Sequence, residues 1–440
     1  MKFAIHTLGC KVNTYESELI RNDLLKNNLK EVNFNDVADL YIINTCTVTN
    51  ESDVKSRKYI RQAIKKNPQA IICAVGCYTQ VANEEVAAID GVDIILGNHL
   101  KGDFYLILQE YLEKYAKNEM QLNKVKNILF EKHFEPMLVD YYTDHTRAFV
   151  KIQDGCNNFC SYCIIPYSRG GMRSKNAQAI IRECQNLVNK GFYEIVLTGI
   201  NTGGYGEDLK TYNFANLLTD IENQVIGLKR LRISSIEPTQ ITEEVLEFIK
   251  NSKIIAKHFH IPVQSCSNEV LKPMNRHYTI EEFIKLIKKI RNYIPDVAIT
   301  TDYITGFPTE TEQQHVQSIE KIKEIGFFEM HIFPFSKRRF TPAAKLHDIA
   351  EKFKLNRVKE LHKLNDELKN SFFVKFVGKT VEIILENKDI IIEGQHYQFG
   401  HSSQYLKILI PRSENNKQRE FINVKINRVH YPYLIGERIN

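Results

Sequence analysis

No stretch of this 440-residue chain stays apolar for the ~18 consecutive residues that a membrane-spanning helix requires. Mean hydropathy is −0.32, and no association with a membrane is predicted. The opening residues, MKFAIHTLGCKVN, hold an apolar run too short for a secretory signal core, so the expected location is cytoplasmic. Strong charge of either sign is also missing. Lysine and arginine number 59 against 53 acids, a surplus of six that permits a polyanionic partner without demonstrating one. Internal repeats and low-complexity tracts are absent. A disulfide framework is excluded too, because nine cysteines are an odd number in a large chain with no export signal. What is present is an ordinary soluble composition, 43% hydrophobic and 25% charged, in a chain longer than one ordinary domain.

Over residues 1–115 short apolar runs alternate with amphipathic segments. Strands are predicted at 3–7, 40–44, 70–75 and 93–96, and helices at 16–26, 54–66, up to 86 and at 104–115. Such alternation implies a parallel sheet with right-handed crossovers. Residues 116–141 are polar and weakly periodic, as expected of a linker. Between 142 and 371 the alternation resumes, with strands predicted at 148–152, 194–198, 230–233, 259–262, 298–302 and 329–333. Helical patterns such as 281–292 and 312–325 separate them, and a charged helix near 351–373 follows. Six units of this kind suggest a partial (β/α)6 barrel, whose reactive groups belong at the C-terminal ends of its strands. Residues 372–440 change to short alternating strands at 380–385, 390–394, 405–410 and 421–429. These suit a small antiparallel β-barrel of the OB-like sort that nucleic-acid binders use.

The strongest local signal is QDGCNNFCSYCIIPYSRG, where Cys156, Cys160 and Cys163 stand in a C-x3-C-x2-C arrangement. Nine cysteines scattered at random would produce that spacing on the order of three times in a thousand. The loop follows the first predicted barrel strand. Three thiolates suit an iron–sulfur cluster with one iron left open, while zinc held by three sulfurs and a water is the rival that spacing alone leaves standing. Three unrelated core cysteines are the bland alternative. Cys10, Cys46 and Cys77, in TLGCKVN, NTCTVTN and AVGCYTQ, each come directly after one of the first three predicted strands. In a parallel sheet those strand ends share one edge, so three thiols far apart in sequence can converge. Burial of cysteine near strand ends accounts for them equally well. Cys73, mid-strand, and Cys184, within a helix, read as core residues.

The triplet, with Tyr162 just before its last cysteine, resembles the radical S-adenosylmethionine enzymes. In that family three cysteines hold three irons of a [4Fe–4S] cluster, and the fourth iron chelates S-adenosylmethionine, whose reductive cleavage yields a 5′-deoxyadenosyl radical. The order TLGCKVN, NTC, GC, the triplet and a small C-terminal β-domain resembles the methylthiotransferases along nearly the whole chain. Further matching stretches are EIVLTGINTGGYG, RISSIEP, HFHIPVQS, LKPMNRHYT, TDYITGFPTETE and HIFPFSKRR. The resemblance implies a second [4Fe–4S] cluster on Cys10, Cys46 and Cys77 and a TRAM-like, RNA-binding C-terminal barrel. LGCKVN and CNNFCSYCIIP are most similar to the branch acting on N6-threonylcarbamoyladenosine (t6A) of tRNA. The isopentenyladenosine branch usually has a motif like YGCQMN, and the branch acting on a ribosomal-protein aspartate one like LGCPKN.

That resemblance further implies two molecules of S-adenosylmethionine per turnover, an electron donor such as flavodoxin or ferredoxin, and a sulfur source. By motif match Tyr162, Gly199 in LTGIN, Glu237 in SSIEP and Gln264 in IPVQS are candidates for holding S-adenosylmethionine. For the last three an ordinary structural hydrogen bond is the competing reading. Arg169 and Arg173 are candidates to neutralise carboxylates of substrate or cofactor, and Lys337, Arg338 and Arg339 to contact phosphate. Tyr397 and Tyr405 are candidates to stack bases, against the plainer reading that they are core. Cys266, Thr309 and Phe340 stand where the family usually has glycine, which puts the substrate rim in question. A zinc-stabilised RNA-binding protein without catalysis is the alternative of another class.

Overall fold

The computed structural model describes residues 1–440 except 116, 118, 119, 144, 415 and 440. Its N-terminal part is a six-stranded parallel sheet, in the order Lys30–Glu31, Lys2–Thr7, Leu40–Thr45, Ile71–Gly76, Ile94–Leu96 and Leu122–Asn123. The two central strands are buried along their whole length, and alternate residues feed two separate cores. Leu40, Ile42, Cys73 and Val75 pack under the helices Lys11–Lys26 and Phe104–Lys114. Tyr41, Ile43, Ile72 and Ala74 pack on the other face, with Ile60 and Ala63 of the helix Asn50–Lys66. Helices on both faces are why these strands read as continuous apolar runs. The segment expected as a linker contributes structure of its own. Leu122–Asn123 forms the sheet's sixth strand, and Met137 and Val139 enter the core of the following barrel. Three residues of that expected linker, 116, 118 and 119, lie outside the described residues.

The central part is built from six parallel strands, Ala148–Lys151, Glu194–Thr198, Arg230–Ile233, His258–His260, Ala298–Thr305 and Glu329–Pro334. They form two three-stranded sheets joined by parallel bridges at Leu231–Ile255 and Ser235–His260, so the six strands curve as one open barrel. The outer helices begin at recognisable signals. Thr279 with Glu282 and Thr311 with Gln314 form capping boxes, in which each side chain satisfies the other residue's backbone N–H. The long helix Glu351–Val374 then leads to the last domain.

That domain is a closed five-stranded barrel in the order Thr380–Ile392, Gln395–Ser402, Lys407–Pro411, Tyr433–Ile439 and Phe421–His430. The expected barrel is present, but Gln395–Ser402 and Tyr433–Ile439 are strands outside the expected set, and it differs in two further ways. One pair, Ile408–Leu434 and Leu409–Ile435, runs parallel, so the barrel is not wholly antiparallel. The two strands expected at 380–385 and 390–394 are a single strand with a register shift between Leu385 and Asp389. Gln395–Ser402 escapes a hydropathy reading because it is polar, yet it is largely buried. Tyr397 and Phe399 pack into the barrel's own cluster with Leu409 and Ile435, and docking covers the strand's end. Arg232 donates to the carbonyls of Ser402 (2.6 Å) and Ser403 (2.9 Å), and Tyr405 stacks on His258.

Candidate active site between two cysteine sets

All nine cysteines are free thiols, and six of them sit at the top of the two α/β units. Register in the N-terminal sheet pairs Thr7 with Asn44 and Thr45 with Gly76. The strand ends are therefore level, and each chain turns there into a helix or loop carrying a cysteine. Cys10 caps the helix Lys11–Lys26, Cys46 follows Thr45, and Cys77 opens the helix Cys77–Val81. The backbone at Gly9 passes so close that a Cβ there would lie 3.1 Å from Cys46 Sγ. Burial pushes the Cys46 thiol up to about 11, and the neighbouring Cys77 and Cys10 add to the shift. Cys77 Sγ accepts hydrogen bonds from Asn98 Nδ2 and from Arg169 Nε, each at 3.3 Å.

The second set lies on the loop that leaves the first barrel strand. A turn joins Cys163 N to Cys160 O at 2.9 Å, and the backbone of Cys156 donates to Gly170 O. The segment following the barrel's fourth strand clamps this loop: Ser161 binds the carbonyls of Pro273 and Met274, and Asn275 Nδ2 donates to the carbonyls of Asn158 and Phe159. Arg276 reaches Cys160 Sγ with Nη1 at 3.4 Å and is ion-paired to Glu237. Burial raises the Cys156 thiol to about 12, with Cys160 reinforcing it, and raises Cys163 above the ordinary thiol range for the same reasons.

Between the two sets opens a cavity of about 300 Å³. Cys156, Cys160, Cys163 and Tyr162 line it with Glu237, Gln264 and Asp302 from the barrel mouth. Val48 and Thr49, just after Cys46, line its other side. Gln264 holds a left-handed φ of +60°, a conformation that costs an ordinary residue strain and recurs at functional sites. Gly199 is not among the lining residues. A Cβ there would lie 3.0 Å from Gln153 Oε1, which accepts the N–H groups of Ile200 and Asn201, so the glycine makes room for that side chain.

Other sequence candidates turn out to be committed elsewhere. Arg169 and Arg173 are buried, at 0% and 3% exposure, and pair with carboxylates of the protein itself. Arg338 is equally buried and fastens the N-terminal unit to the barrel through Asp53 (2.7 Å) and Thr47 (2.7 Å), while Arg339 pairs with Glu85. Arg338 is therefore committed within the protein, whereas Arg339 stays at the surface. Tyr397 is a core residue, and Tyr405 is held among His258, Arg147 and Arg232. Of the three positions where glycine is usual, only Phe340 has a left-handed φ, +66°; it is 63% exposed near Tyr167, whereas Cys266 is buried. Cys73 and Cys184 are both fully buried.

Several site residues escaped the sequence reading. Arg276 and Asn98 are donors to cysteine sulfur, and His260, Asp302 and His331 bring ligand atoms within 4.8 Å of one another at the barrel mouth. A signal for the histidines was available. His258 and His260 flank the buried Phe259 with strand period, which aims both into the barrel. Arg276 and Asn98 lie in loops, and nothing in their neighbourhood announces a sulfur 116 or 21 residues away.

Comparison with known proteins agrees with this geometry. Residues 150–322 match the radical SAM superfamily model, and residues 2–97 match UPF0004, an uncharacterised protein family. The fold resembles the radical S-adenosylmethionine methyltransferase TsrM from Kitasatospora setae, solved with cobalamin and a [4Fe–4S] cluster, with a TM-score of 0.59 at 12% identity over 78% of this chain and 76% of that one. The chain is 44% identical over 435 residues to the threonylcarbamoyladenosine tRNA methylthiotransferase MtaB of Bacillus subtilis, covering 99% of this chain and 95% of the relative. It is 34% identical over 446 residues to the tRNA-2-methylthio-N(6)-dimethylallyladenosine synthase of Clostridium perfringens, covering 99% and 97%. The chain belongs to the radical SAM methylthiotransferase family. It is an enzyme that transfers a methylthio group, and its family implies a [4Fe–4S] cluster and S-adenosylmethionine. Among the described residues no helix is long and apolar enough to cross a membrane.

Proposed function

We propose that this enzyme converts t6A next to the anticodon of tRNA into its 2-methylthio derivative, using two molecules of S-adenosylmethionine. The observation that carries the reading is the single cavity bordered by the thiols of one set and by the loop of the other. Cys156, Cys160 and Cys163 would hold one cluster, and Cys10, Cys46 and Cys77 a second; both donor sets fit, each being three free thiols at one strand-end edge or on one loop, and thiolates are the usual cluster ligands. When bound there, the clusters and S-adenosylmethionine supply the one-electron chemistry that opens the C2–H bond of adenine, which no side-chain base can deprotonate.

The protein's own residues position and shield. Arg276 donates to Cys160 Sγ and holds Glu237 at the cavity wall, which presents a fixed carboxylate to a ligand ammonium. Tyr162 packs against Phe307 and Phe335, closing an apolar wall that keeps water from a reactive centre. Arg338 ties the N-terminal unit to the barrel rim, which fixes the distance across which sulfur must pass. The strand order of the C-terminal barrel is that of OB folds and supports a TRAM-like role in docking RNA. A flavodoxin- or ferredoxin-type reductant and a sulfur source come from outside the chain, and the reading places the enzyme in the cytoplasm with its tRNA.

The t6A branch is favoured over the isopentenyladenosine branch by the higher identity to the relative named for t6A. Mass spectrometry of tRNA nucleosides from a strain lacking the gene, with and without its restoration, tests the reading. Loss of 2-methylthio-t6A, with t6A left behind and recovery on restoration, is the expected result. Loss of the 2-methylthio-isopentenyl nucleoside instead would keep the enzyme class and overturn the substrate.

A further inference from the structure

Arg169 ends the short helix Ile165–Arg169, six residues after Cys163, yet its guanidinium turns away from the triplet toward the N-terminal sheet. Besides Cys77 Sγ, it binds Glu16 Oε1 (2.7 Å), Glu16 Oε2 (3.1 Å), Asn13 Oδ1 (2.7 Å) and Asp154 Oδ1 (3.3 Å). Asn98 approaches the same sulfur from another element. Its Nδ2 donates to Cys77 Sγ and to Ser168 O (2.8 Å), while its Oδ1 accepts from Lys101 Nζ (2.7 Å), which determines which end of the amide faces the sulfur.

Several buried charges surround this pair. Lys101, Lys151, Arg169 and Arg173 are all buried, and they share only two paired carboxylates, Glu16 and Asp154. Glu135 lies nearby and accepts the Gly102 N–H without pairing with these cations. Glu131 adds a further carboxylate beside Arg173. Two donors from different elements thus converge on one sulfur, the arrangement by which outer groups orient and tune a metal ligand.

We propose that Arg169 and Asn98 are positioning residues for the N-terminal metal centre, donating hydrogen bonds to the Cys77 sulfur and raising the centre's reduction potential. The proposal rests on reading Cys10, Cys46 and Cys77 as its ligands. Hydrogen bonds to cysteine sulfur and net positive charge both favour the reduced form of an iron–sulfur centre. Because Arg169 hangs from the helix that follows the triplet, the residue that tunes one centre also holds the other in register with it.

The experiment uses full-length chain in which Cys156, Cys160 and Cys163 are all replaced by alanine, so that only the N-terminal set is loaded on anaerobic reconstitution. Iron per chain and an electron-paramagnetic-resonance redox titration are measured for this parent, Arg169→Gln, Arg169→Lys and Asn98→Asp. About four irons in the parent are expected for one cluster. The midpoint potential should fall in Arg169→Gln, recover part of the way in Arg169→Lys, which keeps the charge, and fall in Asn98→Asp, which turns an acceptor toward the sulfur. If Arg169→Gln fails to fold, as judged by circular dichroism, Asn98→Asp carries the same expectation. Iron retained at an unchanged potential in the variants overturns the proposal while leaving the ligand reading intact. A parent that binds no iron overturns both.

Discussion

Replacing Glu194 by glutamine should loosen the C-terminal barrel from the catalytic barrel at neutral pH. Glu194 is fully buried at the junction and pairs with Arg230 (2.9 Å) and Arg232 (2.5 Å), with Arg147 at 4.0 Å. Those arginines in turn hold the last domain, through Ser402 O, Ser403 O and Glu382. Burial works to raise the carboxyl, but Arg232, Arg230 and Arg147 overcome it and hold Glu194 at about 2. The gap from the ordinary 4.5, at ~1.4 kcal/mol per pH unit, amounts to about 3 kcal/mol. This contribution is complete above pH 4.5 and is lost as pH falls through 2. Breaking a buried ion pair by removing one partner costs about 3–5 kcal/mol, the same range. Glutamine leaves three guanidinium groups facing one another, so hydrogen exchange at pH 7 across residues 395–402 should accelerate roughly a hundredfold. Adding Arg232→Gln should cost less than the two single changes together, because it removes a charge the first change left unbalanced. Exchange in Glu194→Gln within threefold of wild type would refute the reasoning and show that the arginines find compensation elsewhere.

Two further outcomes follow from named contacts. Burial pushes His401 down to about 4 against the pull of its Glu386 hydrogen bond, so the unfolded chain takes up a proton from pH 6.5 downward while the folded one resists. Stability should therefore fall by about 3 kcal/mol between pH 6.5 and 4, and His401→Gln should flatten that slope in urea titrations followed by circular dichroism. Gly76→Ala places a Cβ at φ +105°, 2.6 Å from Asn44 Oδ1 and 2.8 Å from Thr45 O, and should destabilise by more than ~2 kcal/mol. Gly378→Ala, at φ +82° with nothing within 4 Å, carries only the backbone strain of about 1 kcal/mol. Equal urea midpoints for the two would refute the crowding argument.

Much of this protein was legible in one dimension because its signals are local. Apolar runs of strand length between amphipathic helices specify a parallel α/β order, since each strand must bury both faces. Cysteine after each of three strand ends, and the C-x3-C-x2-C loop after a fourth, point to one edge of a sheet and one barrel mouth. The polar strand Gln395–Ser402 was invisible because its burial comes through space, from the barrel cluster around Tyr397 and Phe399 and from Arg230 and Arg232, some 170 residues away, at its end. For the same reason Arg169, Arg173 and Arg338 looked like free cations and proved to be buried and paired, Arg169 and Arg338 linking the N-terminal unit to the barrel. Hydropathy and spacing act along the chain, so the sequence by itself determined the order of elements, the class of chemistry and the six thiols proposed to carry it. Charge pairing acts through space at a few ångströms. Only the tertiary structure decided which arginines meet which carboxylates, which donors face Cys77 and Cys160, and that one cavity lies between the two sets.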